Sequence, residues 1–368
     1  METVLADPWH FPRPALAEAY LAMFDLKLTS ARGLFARRRM GKTEFLCRDL
    51  LPAAAKQGYL VAYTNLWDNR AAPDSALVSA LAMALKPQGV QALLAKFRAP
   101  VKRVRASASI PGGVEGGFEA ELTSAAVEGV LALQDVLAQL DRQKQPLLLA
   151  IDEAQVLASA EHSDFSHALR SALDIRKDRI KVIFAGSSET TLRDMFARPL
   201  EPFYNWAALE PFPLLGAEFV SFTTELANSM ARMPLSLDYA HRAFDELHRT
   251  PEFFKRFIER YMLYQMEGEA AALAHTKASV FSDGHFLKQW NNLLPADQAV
   301  LSLLVHGESD LYAAPAQAKL SSLLRQAVTK NTVSHALRRL QAANVVTRLA
   351  LGEYRLEDET FAEWVRRR

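Results

Sequence analysis

The feature that most constrains the fold is the stretch from Gly33 to Leu46, which reads GLFARRRMGKTEFL. An apolar run leads into three arginines, and a Gly-Lys-Thr triplet at 41–43 then opens a helix-compatible segment. A strand, a tight turn, Gly-Lys-Thr and a helix are the layout of a phosphate-binding loop, in which backbone N–H groups and the helix N-terminus form an anion site. Ala36 replaces the usual first glycine of the motif. The alternative interpretation is a basic turn that opens a helix.

The side chains of this loop have distinct predicted tasks. Lys42 would reach the β- and γ-phosphates of ATP, and the Thr43 hydroxyl would hold Mg²⁺. Gly41 has a backbone reason to be glycine, because the chain must pass close to the phosphates. The predicted nucleotide-binding set is Ala36, Arg37, Arg38, Arg39, Met40, Gly41, Lys42, Thr43 and Glu44.

A second motif lies at 147–155, which reads LLLAIDEAQ. A continuous apolar run that ends in two acids predicts a buried parallel strand, and open α/β sheets bind ligands at the carboxyl ends of such strands. Asp152 is the predicted Mg²⁺ ligand, and Glu153 the predicted general base that polarises the attacking water. The alternative is that the two acids only begin the next helix, where negative charge at the N-terminus is favourable. That alternative explains one carboxylate better than two.

A third apolar strand, at 181–188, ends in small polar residues, and the Ser187 hydroxyl could sense the γ-phosphate there. The three motifs together predict an α/β fold: a three-layer αβα P-loop NTPase core around a parallel sheet of five strands. The strand of Ser187 should lie between the strands that precede Lys42 and Asp152.

Composition is compatible with this fold. A chain of 368 residues with 50% apolar content predicts two or three domains with ample core material. The single cysteine, Cys47, excludes an internal disulfide framework and a cysteine zinc cluster. No apolar run approaches the ~18 residues of a transmembrane helix, and the first residues do not resemble a signal peptide. We therefore expect a cytoplasmic protein without a membrane partner.

The order of the motifs predicts three domains: an ATPase core at 1–215, a helical lid at 216–285 and a winged-helix domain at 286–368. An N-terminal arm, Trp9-His10-Phe11-Pro12, is either a hydrophobic cover or a segment against the adenine. Residues 86–105 carry six bases and no acid, which fits a solvated basic face or contact with nucleic-acid phosphates. Residues 106–121 read as a β-hairpin insertion, with a helix from Leu122 to Leu140.

The C-terminal segment predicts three helices followed by two short strands, which is the order of a winged helix-turn-helix. Its third helix, Lys330 to Ala343, has a buried stripe and a polar outer face. Six bases and no acid lie between Lys319 and Gly352, and such polarity favours double-stranded DNA. The alternative is a winged helix that contacts protein. The predicted DNA-binding residues are Lys330, Asn331, Ser334, Arg338 and Arg348.

At this point the motifs resemble a family. ARRRMGKT is similar to the G-x-R-R-x-G-K-T, LLLAIDEAQ to the hhhhDEhQ, and GEYRLEDETFAEWV to the closing winged-helix segment of prokaryotic AAA+/STAND-type ATPases. Archaeal-type ATPases and origin-recognition initiators are the members that the chain resembles. The resemblance implies an ATP switch or motor that assembles on DNA or on partner proteins, with Ser187 as sensor 1.

The resemblance also implies an arginine finger after the Ser187 helix. Trp206 stands where that arginine is expected, which leaves Arg198 or Arg193 for the role. Arg249, in the turn of the predicted lid, is a candidate second sensor. The predicted catalytic set is Glu153, Lys42, Ser187 and Arg198.

Two functional hypotheses follow. The first is a Mg²⁺-dependent ATPase that binds DNA through its winged helix and forms a homo-oligomer on ATP or DNA, as an initiator, transposition regulator, mobile-element or defence component. The second is a nucleotide-gated signalling switch whose winged helix binds a partner protein.

Overall fold

The structure is a computed structural model that describes residues 7–86, 118–281, 283–308, 310–343, 345–350 and 353–368. The chain separates into two compact units. The first contains Met1–Ala36, Gly41–Ser187 and Thr191–Phe212, and the second contains Arg37–Met40, Ser188–Thr190 and Pro213–Arg368. The three-domain division at 215 and 285 stays a prediction.

The first unit is organised around a parallel sheet. Its strands are β1 (Ala31–Phe35), β2 (Leu60–Asn65), β3 (Leu147–Asp152), β4 (Ile180–Gly186) and β5 (Ala208–Pro211). They lie in the order β2-β3-β4-β1-β5, and each neighbouring pair is parallel. The predicted five-stranded parallel sheet is confirmed, with the strand of Ser187 between the strands that precede Lys42 and Asp152.

Helices cover both faces of this sheet. The helices up to residue 212 are α1 (Pro14–Asp25), α2 (Lys42–Phe45), α3 (Leu51–Lys56), α4 (Pro73–Ala84), α5 (Phe118–Asp141), α6 (Ser163–Ile175) and α7 (Glu189–Ala197). In β3, Leu147 and Leu149 pack into one hydrophobic cluster, whereas Leu148 and Ala150 pack into another. Successive side chains of a strand point to opposite faces, so these clusters are two separate cores. The predicted three-layer αβα core is confirmed.

The start of α5 corrects one prediction. The helix begins at Phe118, so the last four residues of the predicted hairpin insertion at 106–121 are helical. Their sequence, Phe-Glu-Ala-Glu, contains good helix formers and no β-branched residue, which is the physical reason for the earlier start. The rest of that hairpin and the basic stretch from residue 87 to Arg105 lie outside the described residues.

In its described residues, the second unit consists of helices, one hairpin and the loops between them. Its helices are α8 (Ala217–Met230), α9 (Leu237–Glu246), α10 (Pro251–Leu263), α11 (Gly268–Val280), α12 (Asp283–Asn291), α13 (Pro295–Val305), α14 (Ala314–Leu324), α15 (Lys330–Ala342) and α16 (Glu359–Arg366). Strands β6 (Val346–Ala350) and β7 (Glu353–Leu356) pair antiparallel between α15 and α16. Three helices and then a hairpin, at 295–356, are the elements that the sequence predicts for a winged helix.

Two apolar cores hold these helices. Phe219, Phe244 and Phe254 join α8, α9 and α10 through ring contacts of 5.4–5.9 Å between centroids. A separate cluster joins α12 to α16 and the hairpin, and the predicted stripe of α15 (Val333, Leu337 and Leu340) is buried in it. No helix among the described residues is long and apolar enough to cross a membrane.

Candidate functional site

The loop after β1 has the backbone of an anion site. Gly41 has a φ of 83° and Arg39 a φ of 68°, so the chain turns through left-handed conformations just before α2 begins at Lys42. Glycine adopts this conformation without steric cost, whereas a side chain makes it unfavourable. The first N–H groups of a helix have no acceptor within the helix, which is why helix N-termini commonly bind anions.

The predicted phosphate-binding lysine is folded back onto its own loop. Lys42 is buried, and its Nζ donates a hydrogen bond to the carbonyl oxygen of Ala36. The carbonyl oxygen of Ala36 therefore lies beside the Lys42 ammonium group, in the place that a phosphate oxygen would take when a nucleotide binds. The alanine that replaces the usual first glycine therefore contributes its carbonyl, a group that every residue type carries.

Thr43 and Asp152 bring the first two motifs together. The Thr43 hydroxyl donates to Asp152 Oδ2 at 2.5 Å, and the Tyr63 hydroxyl donates to the same oxygen at 3.2 Å. Asp152 is 1% exposed at the carboxyl end of β3. Burial raises the pKa of Asp152, although the hydrogen bond from Thr43 acts in the opposite direction.

The oxygen atoms at this point fit a magnesium ion. Mg²⁺ prefers hard oxygen ligands and is commonly bound through one or two protein groups together with phosphate oxygens and water. Thr43 and Asp152 supply a hydroxyl and a carboxylate at one place. A cation bound by these two groups would also favour the ionised form of a carboxylate that burial otherwise disfavours.

Glu153 begins the turn that follows β3. Its φ of 53° is left-handed, a conformation that is uncommon for a residue other than glycine. Glu153 Oε2 accepts hydrogen bonds from the Ser187 hydroxyl at 2.7 Å and from the Gln155 amide at 2.5 Å. The structure thus places the predicted base and the predicted sensor in direct contact.

The N-terminal arm contacts the helix that follows the loop. Arg13 donates to the carbonyl of Gly41 at 3.0 Å, and its guanidinium lies 4.9 and 4.5 Å from the ring centroids of Phe45 and Phe212. The residue that directly follows the arm thus contacts Gly41, which precedes Lys42. This contact is compatible with the predicted cover and leaves the adenine alternative untested.

His10 attaches the arm through charge. Its Nε2 lies 2.9 Å from Asp49 and its Nδ1 lies 3.7 Å from Glu44. Burial acts to lower the pKa of His10, but the two carboxylates outweigh burial and raise the pKa from 6.5 to about 9. The imidazole is therefore protonated at neutral pH.

The arginines at the tip of the loop have contacts within the second unit. Arg37 donates to the carbonyl of His248 at 3.4 Å. Arg39 lies 3.6 Å from the carboxylate of Glu252 and 5.1 Å from the ring centroid of Phe253. Both belong to the predicted nucleotide-binding set, and their side chains contact α10 or the turn before it.

The candidates for an arginine finger lie on α7 or just after it. Arg198 is 63% exposed and pairs with Asp194 at 2.5 Å, and Arg193 lies 5.8 Å from the Phe35 ring centroid. Trp206 packs against Phe184 with 5.7 Å between ring centroids, so the position where arginine was expected belongs to the core. Arg249, the candidate second sensor, pairs with Asp245 at 2.6 Å.

The predicted DNA-binding residues belong to two elements, α15 and strand β6. Lys330, Asn331 and Arg338 are exposed and have no ion-pair or side-chain hydrogen-bond partner among the residues that the structure describes. Ser334 is half-buried, with its hydroxyl 3.4 Å from that of Tyr312. Arg348 lies on β6.

Two of the six bases in this segment are paired with acids outside it. Arg339 forms a bidentate pair with buried Asp297 of α13, at 2.6–3.1 Å, and Lys319 pairs with Glu308 at 2.5 Å. The sequence pattern of six bases and no acid therefore overstated the free positive charge, because the compensating acids lie in an earlier helix and loop.

Sequence reasoning missed several residues of the site. Gln155 stands inside the quoted LLLAIDEAQ motif, but was assigned no role. Tyr63 lies two residues before the end of β2. The alternation of side chains between the two faces of that strand could have placed Tyr63 near Asp152. Arg13 carried no sequence signal, because its contacts with Gly41 and Phe212 depend on how the arm folds.

Comparison with solved structures identifies the fold. Over 98% of this chain and 100% of the other, the structure is similar to the Walker-type ATPase paby2304 of Pyrococcus abyssi, with a TM-score of 0.64 and 17% identity. The Orc1 protein of Aeropyrum pernix in complex with DNA aligns over 98% and 94% of the two chains at a TM-score of 0.47 and 16% identity. Cdc6p from Pyrobaculum aerophilum aligns over 96% and 95%, at 0.44 and 13%.

The last two TM-scores are too low to add to the assignment of the fold. No protein-family model matches the sequence, and no curated protein matches it significantly. The first likeness, which extends over both chains, shows that this protein has the fold of a Walker-type ATPase.

Proposed function

We propose that this protein is a Mg²⁺-dependent ATPase of the AAA+ type. The observation that carries the proposal is the contact of Thr43 with Asp152, which joins the two halves of a phosphate and metal site that are far apart in the sequence. Lys42 lies in the same loop, where it is buried and donates a hydrogen bond to the carbonyl oxygen of Ala36.

The proposed reaction is hydrolysis of ATP to ADP and phosphate. Lys42 would bind the β- and γ-phosphates, and Thr43 and Asp152 would hold Mg²⁺, which supplies charge stabilisation when bound. Glu153 accepts a proton from water while the water oxygen bonds to the γ-phosphorus and the bond from that phosphorus to the ADP oxygen breaks. Ser187 orients the carboxylate of Glu153 from the end of β4.

We further propose that residues 295–356 bind duplex DNA as a winged helix. Support comes from the exposed Lys330 and Arg338 on the outer side of α15, opposite its buried stripe. Cations on such a helix face match the phosphates beside a DNA groove. Assembly into a homo-oligomer on ATP or DNA belongs to the same proposal.

The test is to measure ATP turnover with and without Mg²⁺, and binding to duplex DNA at low salt, in the full-length protein. Magnesium-dependent turnover that DNA stimulates would support both parts. Absence of ATP binding would overturn the enzymatic proposal. ATP turnover without DNA binding at low salt would instead favour the signalling switch, with α15 as a protein-binding surface.

A further inference from the structure

The side chain of Gln155 forms a hydrogen-bonded triangle with Ser187 and with Glu153, the proposed general base. Its Nε2 donates to Glu153 Oε2 at 2.5 Å and lies 3.4 Å from the Ser187 hydroxyl, which itself donates to that carboxylate oxygen at 2.7 Å. One oxygen of Glu153 thus has two donors. The other, Oε1, accepts no hydrogen bond from the residues that the structure describes.

The orientation of the Gln155 amide follows from the chemistry of its neighbours. An ionised carboxylate only accepts hydrogen bonds, so the end of the amide beside Glu153 must be the NH₂ group. The carbonyl end then points toward Gly186, the last residue of β4. A Cβ atom at position 186 would lie 2.4 Å from Gln155 Oε1, so the absence of a side chain there makes room for the amide.

This packing is unfavourable for the carbonyl. Gln155 Oε1 is shielded from solvent and has no hydrogen-bond donor in the described part of the chain. A buried acceptor without a donor is destabilising, because it loses its hydrogen bonds to water and gains none in the protein. If Gln155 only filled space, a methionine of similar length would do so without that cost. The hydrogen bonds that the NH₂ group donates are therefore the reason that position 155 is a glutamine and not an apolar residue of similar length.

We propose that Gln155 is a positioning residue for ATP hydrolysis. It holds Glu153 Oε2 against Ser187, so that Oε1 stays open toward the attacking water. Gln155 neither takes nor gives a proton, and it adds no chemical step to the reaction. The inference rests on the proposed ATPase function, and it makes Gly186 the residue that admits the positioning group.

The experiment compares Gln155→Met, which keeps length and removes both donors, with the unsubstituted protein. We expect kcat to fall about 10- to 100-fold, as is typical when a group that orients a reacting residue is lost. KM and ATP affinity should stay within about twofold, because Gln155 acts on the base and not on the phosphates. Gln57→Met, at an exposed position, is the matched control and should be unchanged.

A double-substitution cycle separates positioning from structural damage. In a Glu153→Gln background the base is already lost, so adding Gln155→Met should cause no further loss of turnover. An equal loss in both backgrounds, or a kcat within twofold of the unsubstituted protein, would overturn the proposal. Gly186→Ala should reproduce the kcat loss by displacing an intact Gln155.

If Gln155→Met does not fold, Gln155→Leu decides the matter, since it removes both donors and adds no charge beside Glu153. Failure of the ATPase proposal is visible separately. An unsubstituted protein without ATP turnover overturns the function and this inference together, whereas an active protein with an unaffected Gln155→Met overturns the inference alone.

Discussion

The Thr43 hydroxyl and the Asp152 carboxylate are 109 positions apart in the sequence and 2.5 Å apart in the fold. Their contact depends on the order of the parallel strands, because β4 lies between β1 and β3 and aligns their carboxyl ends. A residue at the start of α2 thereby meets one at the end of β3. Substitution of Thr43 or of Asp152 should therefore change the same property, which is the Mg²⁺-dependent affinity for ATP.

Asp152→Asn tests the role of that carboxylate. The pKa of Asp152 is higher in the folded protein than in the unfolded chain. The contribution of this group to the free energy of unfolding is therefore present below the pKa of the unfolded chain and is lost as pH rises through the pKa of the folded protein. At neutral pH the amide should therefore raise the Tm of the nucleotide-free protein. Mg²⁺-dependent affinity for ATP should fall about 10-fold or more, because the metal loses its anionic ligand. Thermal unfolding with and without MgATP measures both; a lower Tm without nucleotide would contradict the expectation.

Lys42→Ala should abolish ATP binding, because the phosphates lose the buried cation that the loop provides. Lys56→Ala, an exposed lysine of α3, is the control and should bind ATP normally. Calorimetric titration measures the affinity. A folded Lys42→Ala protein with the affinity of the parent would show that the nucleotide binds elsewhere.

Glu153→Gln should retain ATP binding and lose about 10²- to 10⁴-fold in turnover, since the amide cannot accept the proton from water. Phosphate release under single-turnover conditions measures this loss. Glu161→Gln, at an exposed position, should turn over like the parent. Parental turnover in the Glu153 variant would assign the base to another residue.

The arm should lose stability at high pH. Because the pKa of His10 is raised from 6.5 to about 9, its contribution to stability is full below about pH 6.5 and is lost as pH rises through about 9. His10→Asn should therefore lower the unfolding free energy at pH 6, with a difference from the parent that shrinks at pH 9.5. Urea unfolding at the two pH values gives the difference. The exposed His275→Asn variant is the control, and a pH-independent difference for His10→Asn would refute the argument.

Replacing Lys330 and Arg338 together with glutamate should weaken duplex DNA binding strongly and leave ATP binding unchanged. The two positions are eight residues apart, a little over two turns at ~3.6 residues each, and both are exposed. Fluorescence anisotropy at one fixed low salt concentration measures the loss.

Lys56→Glu with Lys144→Glu is the charge-matched control for that experiment, because both lysines are exposed in the first unit. DNA affinity equal to the parent in the α15 variant would exclude this helix as the DNA reader. The basic stretch at 86–105 would then be the next surface to substitute.

The sheet was predictable because each strand carries its signal locally. The run Leu147 to Ile151 is apolar at every position, as a strand buried on both faces must be, and the acids after it mark the sheet edge. The phosphate loop likewise predicted a strand directly before it, which is β1. The existence and parallel direction of the strands were therefore predictable, as was the place of β4 between β1 and β3, whereas the places of β2 and β5 were not predicted.

The contacts that complete the site could not be derived in this way. The pair of Arg339 with Asp297 joins residues 42 positions apart on different helices, and no local pattern connects them. The role of Gln155 depends on the space beside Gly186, which is a property of packing. Sequence patterns indicate which face of an element is buried, whereas partners across elements depend on the tertiary fold.

The pairing of Arg339 and Lys319 changes how many counterions DNA binding can release. Of the six bases between Lys319 and Gly352, two already have carboxylate partners, so six minus two leaves at most four to neutralise phosphates. Each phosphate neutralised on B-DNA contributes about −0.9 to the slope of log affinity against log salt concentration. Four contacts give a slope of about −3.6, whereas six would give about −5.4. Two adjacent arginines thus differ in their partners: Arg338 faces solvent and its ions, whereas Arg339 is paired with the buried carboxylate of Asp297.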